Sequence, residues 1–215
     1  MKKILTFAAL AATALTANAF TVVDTTTNAF STEDRGQFSL TDTGQTFTTG
    51  LLGTNTTLGS IQLQEPRDYD VANAPNSSGD TFQLQIWTDT DANHTTWDPG
   101  TLLGTSSNTV VASTALQINS FSFVGVTLAE NTVYTIAYVV IDATPGDSGM
   151  RVSVTRNANE PSGSYKDGTF FGNGLAPFGD AWDSGFSVTA VPEPSAYALL
   201  GGLSALALVM VRRRR

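Results

Sequence analysis

Between Phe20 and Ala190 no long segment carries apolar residues at the three-to-four spacing of a helix face, and this limits the fold more than any motif does. Apolar residues recur at every second position instead. Phe82, Leu84 and Ile86 alternate with Gln83, Gln85 and Trp87, the pattern of a strand buried on one face. Val133 to Ile141 is the richest run of β-branched and aromatic residues and predicts a central strand. Further strands are expected at Thr21 to Thr27, Gln45 to Thr48, Leu58 to Glu65 with Ile61 and Leu63 on one face, and Thr101 to Ser106. Ser120 to Leu128, Arg151 to Thr155 and Gly185 to Ala190 complete the set. About nine short strands separated by Gly, Asn, Asp and Pro turns predict an all-β fold, a β-sandwich of jelly-roll or Greek-key order. Two long polar connections, Pro66 to Asp80 and Asn157 to Asp183, interrupt it.

Both ends of the chain read differently from this middle. Lys2 and Lys3, the apolar Ile4 to Leu15 and the small-x-small Ala17-Asn18-Ala19 predict a secretory signal peptide over residues 1–19. At the other end Pro192, Glu193 and Pro194 form a stiff hinge, Ala196 to Val211 carries no charge, and Arg212, Arg213, Arg214 and Arg215 follow. Such a run predicts a transmembrane helix over 196–211 whose arginines stay in the cytoplasm as its stop. Its sixteen residues span only about 24 Å at helical rise, so arginine snorkelling and Tyr197 at the far interface extend its usable length. The ectodomain that remains, 20–190, suffices for one sizeable core.

Charge and cysteine content exclude several functions. Residues 20–190 hold 18 acidic and five basic side chains, a net of −13, and such a surface repels nucleic acid. The chain has no cysteine, so neither a disulfide, a thiolate metal site nor a thiol nucleophile can form.

Three chemistries find partial support in the residues. The sole histidine, His94, lies between two expected strands beside carboxylates that could orient it as an acid or base, but no flanking motif supplies a nucleophile. Asp89, Asp91 and Asn93 have the i, i+2, i+4 spacing of a calcium loop, although His94 and Gly100 stand where that loop needs Gly and Glu. Asp and Asn also serve turns without any ion, so calcium remains one of two readings. Trp87, Trp97 and Trp182, with Tyr165 and Phe171, offer aromatic faces on which sugar rings stack, and core or loop anchoring is the alternative. Trp87 is the best placed, since it faces away from Phe82, Leu84 and Ile86.

The terminal Val191-Pro192-Glu193-Pro194-Ser195, the apolar run and the four arginines resemble the PEP-CTERM sorting signal of Gram-negative bacteria that make exopolysaccharide. The resemblance covers residues 191–215. It implies that Pro192, Glu193 and Pro194 are the recognition site of an exosortase, a membrane-embedded cysteine transpeptidase that removes the tail. Gln45 to Thr48, Leu58 to Leu63, Pro99 to Leu102 and Val126 to Tyr134 are similar in order to the choice-of-anchor ectodomains, β-sandwiches found upstream of such tails. Together these imply a protein exported across the inner membrane, anchored, then delivered to the envelope, cell surface or medium, with no enzymatic activity and no cofactor of its own. The expected partners are the exosortase, membrane lipid and exopolysaccharide or other matrix components. A carbohydrate-binding module and an envelope hydrolase are the alternatives.

Overall fold

The structure, a computed structural model, describes residues 19–26, 43–52, 56–64, 81–91, 95–111, 118–142, 154–156, 167–172, 176–177, 182–192 and 202. The signal segment up to Asn18, the whole connection 66–80, and the tail over 193–215 apart from Gly202 lie outside them. Among the described residues no helix is long and apolar enough to cross a membrane.

The described chain is all-β, with two antiparallel sheets packed face to face. The first sheet runs β1 (Phe20–Asp24), β14 (Phe186–Pro192), β3 (Thr56–Gln64) and β7 (Ile118–Ser122), and β8 (Thr127–Leu128) pairs with the start of β3. The second runs β12 (Ala176–Pro177), β11 (Phe170–Gly172), β2 (Gly44–Thr48), β9 (Val133–Asp142), β4 (Thr81–Asp89) and β5 (Pro99–Thr105), with β6 (Val110–Val111) also on β4. A separate pair, β10 (Val154–Arg156) and β13 (Trp182–Ser184), leads through Gly185 into β14.

Alternation decides which side chains meet. Phe82, Leu84 and Ile86 on β4 lie opposite Val140, Tyr138 and Ile136 on β9, and Phe47 on β2 lies opposite Tyr134. From the other sheet Leu58, Ile61, Leu63, Phe121, Phe186 and Val188 enter the same core. The Phe47 ring stacks on Tyr134 at 5.6 Å and meets Phe186 of the facing sheet at 6.2 Å. Burying each such side chain stabilises the fold by about 1.5–3 kcal/mol.

Strict alternation breaks once inside β3. Thr56 and Leu58 point inward, then Ile61 and Leu63, so the parity changes between them. The cause is a bulge: Leu58 pairs with Ala190 and Ser60 with Thr189, leaving Gly59 as the extra residue. The inward set Phe186, Val188 and Ala190 on β14 thereby keeps its partners along the whole strand.

The strand expected over Ser120 to Leu128 follows β3 along its length but is interrupted at residues 123–126, which divide it into β7 and β8. Gly125 has φ of +73°, a conformation glycine adopts without steric cost, and it lies in the irregular stretch between β7 and β8, which run in the same direction along β3. The connection Asn157 to Asp183 is corrected more deeply, because β11 and β12 lie within it and β13 begins in it. Phe170 and Phe171 are both fully buried, one on each face of the second sheet, and two adjacent aromatics carry no period from which a strand is read.

The outer edge of β7 is closed by a side chain. Asn108 Nδ2 donates to the Ser120 carbonyl at 2.9 Å, and its Oδ1 accepts from the Ser122 amide at 2.7 Å. The Ser107 amide donates to the Ser122 carbonyl at 2.7 Å.

A buried polar network joins the two sheets. Gln45 Oε1 accepts from the Ser184 amide at 2.9 Å and from its hydroxyl at 3.2 Å, and the Tyr138 hydroxyl donates to Ser184 Oγ at 3.2 Å. Thr25 Oγ1 donates to the carbonyls of Ser184 and Phe186 and accepts from the Phe186 amide. Burial pushes the Tyr138 phenol well above its ordinary value, and its bond to Ser184 pulls it back only part of the way. The folded chain therefore holds this proton more tightly than the unfolded chain. The stability so conferred is intact below the unfolded phenol's pKa of about 10 and is lost as pH rises from there through the folded value. Denaturant titrations above pH about 10 are expected to show stability falling by up to about 1.4 kcal/mol per pH unit. Tyr138→Phe is expected to cost about 1 kcal/mol at neutral pH and to flatten that alkaline slope.

Candidate functional site

The outward face of the second sheet brings together Trp87, Trp97, Phe171 and the Asp89 to Asp91 turn, whereas Tyr165 lies outside the described residues. Pairing places Thr46, Thr135, Trp87 and Leu102 in one row across β2, β9, β4 and β5. The next row is Phe171, Gly44, Ala137, Gln85 and Thr105. Gln83 and Val139 begin a third. Trp87 points away from the core, as its alternation with Ile86 requires, and is half-buried.

The loop after β4 folds back over this face. Trp97 packs edge-on against Phe171 with ring centres 5.5 Å apart, and its ring lies directly on Gly44. A Cβ at residue 44 would sit 2.5 Å from Trp97 Cζ3 and closer still to Cη2 and to the Ile136 carbonyl oxygen. Gly44 is thus the seat that lets the indole approach the sheet. Thr46 and Thr135 are buried beside it although they point away from the core. Trp97 is spent on this packing, whereas Trp87 stands at the margin of the covered patch. Trp182 lies in β13, and its side chain falls outside what the structure describes.

The acidic residues of the loop hold its shape. Asp89 accepts from the Thr135 hydroxyl and, at 2.8 Å, from the Asp91 amide. Asp91 Oδ2 accepts from the amides of Thr95 and Thr96 at 2.8 and 2.7 Å and from their hydroxyls at 2.9 and 2.8 Å. Thr90 donates its hydroxyl to Asp98. The Asp-x-Asp spacing is therefore used to nucleate a loop through side-chain acceptors. Asn93 and His94 lie outside the described residues, so neither the third oxygen of the calcium reading nor the lone histidine is placed. Among the described residues no three acidic or histidine side chains converge as metal ligands would.

The sorting residues fall at the boundary of the fold. Pro192 is the last residue of β14 and lies opposite Thr56. Glu193, Pro194 and Arg212 to Arg215 are outside the described residues. Sequence reasoning missed the role of Gly44 on the outer face, and of the two readings of Phe171 the structure shows the anchoring one, against Trp97. A glycine at the start of a strand whose alternate positions are threonines was the available signal.

No protein-family model matches the chain, and no curated protein matches it. Among solved structures it is similar to a clostridial cysteine protease, Cwp84 after propeptide cleavage, with 8% identity, a TM-score of 0.50, and coverage of 82% of this chain and 40% of that one. A second structure, the cysteine protease and lectin-like domains of Cwp84, a surface layer associated protein of Clostridium difficile, aligns at 8% identity and a TM-score of 0.47 over 74% of this chain and 36% of that one. The chain thus spans less than half the length of either. At such identity the first likeness concerns the fold alone.

Gly44→Ala is expected to destabilise the domain by about 1–3 kcal/mol and to shift tryptophan emission to the red as Trp97 lifts from the sheet. In a double-mutant cycle with Trp97→Ala part of that cost should disappear, the remainder coming from the Ile136 carbonyl; full additivity would refute the contact.

Proposed function

We propose that the chain is an exported, non-enzymatic protein of a Gram-negative cell surface or extracellular matrix, delivered through its C-terminal tail. The observation that carries this reading is the order Pro-Glu-Pro, sixteen uncharged residues and four arginines, paired with an export signal at the other end. In this account residues 1–19 are removed on export, 196–211 hold the chain in the inner membrane, and an exosortase acts at Pro192, Glu193 and Pro194. The place of Pro192 supports it, since the domain's last strand ends as the motif begins. The finer reading of the sandwich as a jelly roll or Greek key draws on the pairing of the first and last strands, β1 and β14, beside β3.

A carbohydrate-binding role is favoured by one specific arrangement. Trp87, Gln85 and Gln83 follow one another on the outward face of β4, flanked by the small or apolar Ala137, Val139 and Leu102, and Leu102 is 41% exposed. A half-buried indole beside two amides on one sheet face offers stacking and hydroxyl recognition together.

Deleting residues 196–215 is expected to move the domain from the membrane fraction to the soluble exported fraction, read by fractionation with an antibody to the domain. Equal membrane retention would contradict the anchor. Mass analysis of the native protein should find an N-terminus at Phe20 and a C-terminus near Pro194. For the second reading, Trp87→Ala should abolish retention on exopolysaccharide; unchanged retention would remove Trp87 from the site.

A further inference from the structure

The end of the sandwich at which β14 finishes is assembled from several segments. Pro192 lies opposite Thr56, and Thr56 lies opposite Leu128. Just beyond Leu128, the Ala129 carbonyl accepts from Thr49 Oγ1 at 2.6 Å. The Thr49 amide donates to the Thr132 carbonyl at 3.0 Å, and the Asn131 amide to the Gly50 carbonyl at 3.2 Å. The residues after β2, the turn between β8 and β9, the start of β3 and the end of β14 therefore share one end of the molecule. Leu51, the residue after Gly50, is 83% exposed there.

The chain beyond Pro192 sets how far this end can stand from a membrane. Only Glu193, Pro194 and Ser195 separate Pro192 from Ala196, where the uncharged apolar run begins. Four Cα steps reach at most about 14 Å, and Pro194 stiffens them. The opposite end of the same sheet, where Gln64 pairs with Ile118, is farther by the length of β14, roughly 20 Å. Ile118 is 55% exposed at that end.

We propose that, while the tail lies in the bilayer, the Pro192 end of the sandwich rests on the lipid surface with Leu51 among the headgroups. This rests on the anchor reading above. One leucine does not bind a membrane by itself, but a tether this short holds it at high effective concentration beside the surface. Residues 49–56 and 127–132 contain no lysine or arginine and one acid, Glu130, so attraction to anionic lipid plays no part. The surface recognised is that of neutral phospholipid, and the contact is insensitive to salt.

The absence of cysteine makes the test direct. The full chain, exported in a host without an exosortase and extracted from its membranes, is labelled with a bimane fluorophore at Leu51→Cys or, separately, at Ile118→Cys. Each is reconstituted into phosphatidylcholine vesicles carrying a headgroup nitroxide. Quenching at position 51 should exceed that at position 118 several-fold, at low and high salt alike. Equal quenching in chains that float with the vesicles, or stronger quenching at 118, overturns the proposal and leaves the anchor reading standing. A chain that does not float with the vesicles overturns both.

Discussion

Gln45 is fully buried on an interior strand, and its carbonyl oxygen is bonded twice to Ser184, a residue 139 positions later in the chain. Leaving a buried amide without partners costs about 1–3 kcal/mol, so this pair penalises any slip of β2 against β9 or any drift of β13 away from the core. The same serine takes the Tyr138 hydroxyl, and its carbonyl takes Thr25 from the end of β1. Four segments from both sheets thus depend on one satisfied polar cluster. The aliphatic and aromatic side chains packed in the core supply cohesion through burial. They tolerate small shifts, whereas directional bonds to one oxygen do not, and uniqueness of register comes from the latter.

What the sequence revealed follows from which rules are local. Period two in Phe82 to Trp87 and the β-branched run of Val133 to Ile141 are local, and both emerge as neighbouring interior strands of one sheet. Parity change at Gly59 is visible only once β14 is paired beside β3, so Leu58 and Ile61 read alone look out of phase. Phe170 and Phe171 sit in a stretch dominated by Gly and Asn. Their strand exists because Phe170 pairs with Gln45 and Phe171 with Gly44, partners more than a hundred residues away.

The outer face shows the same division. Trp87 was legible as an outward residue because its neighbours on β4 fix its side, while Trp97, in a loop, had no such reference. Its seat on Gly44 depends on how the Asp91 carboxylate gathers Thr95 and Thr96 and turns the loop back over the sheet. Alternating Asp and Thr residues that suggest a cation thus serve, at the two aspartates the structure describes, to aim an indole.

The asparagine that closes the outer border of β7 governs how copies of this domain can meet. Its amide already occupies one carbonyl and one amide of the strand it caps, so a second molecule cannot extend the sheet there without first breaking those bonds. Crowded together, neighbours meet at this border through side chains and not through a shared backbone ladder. The domain can thus be packed densely without its own hydrogen bonding seeding a fibre from that flank.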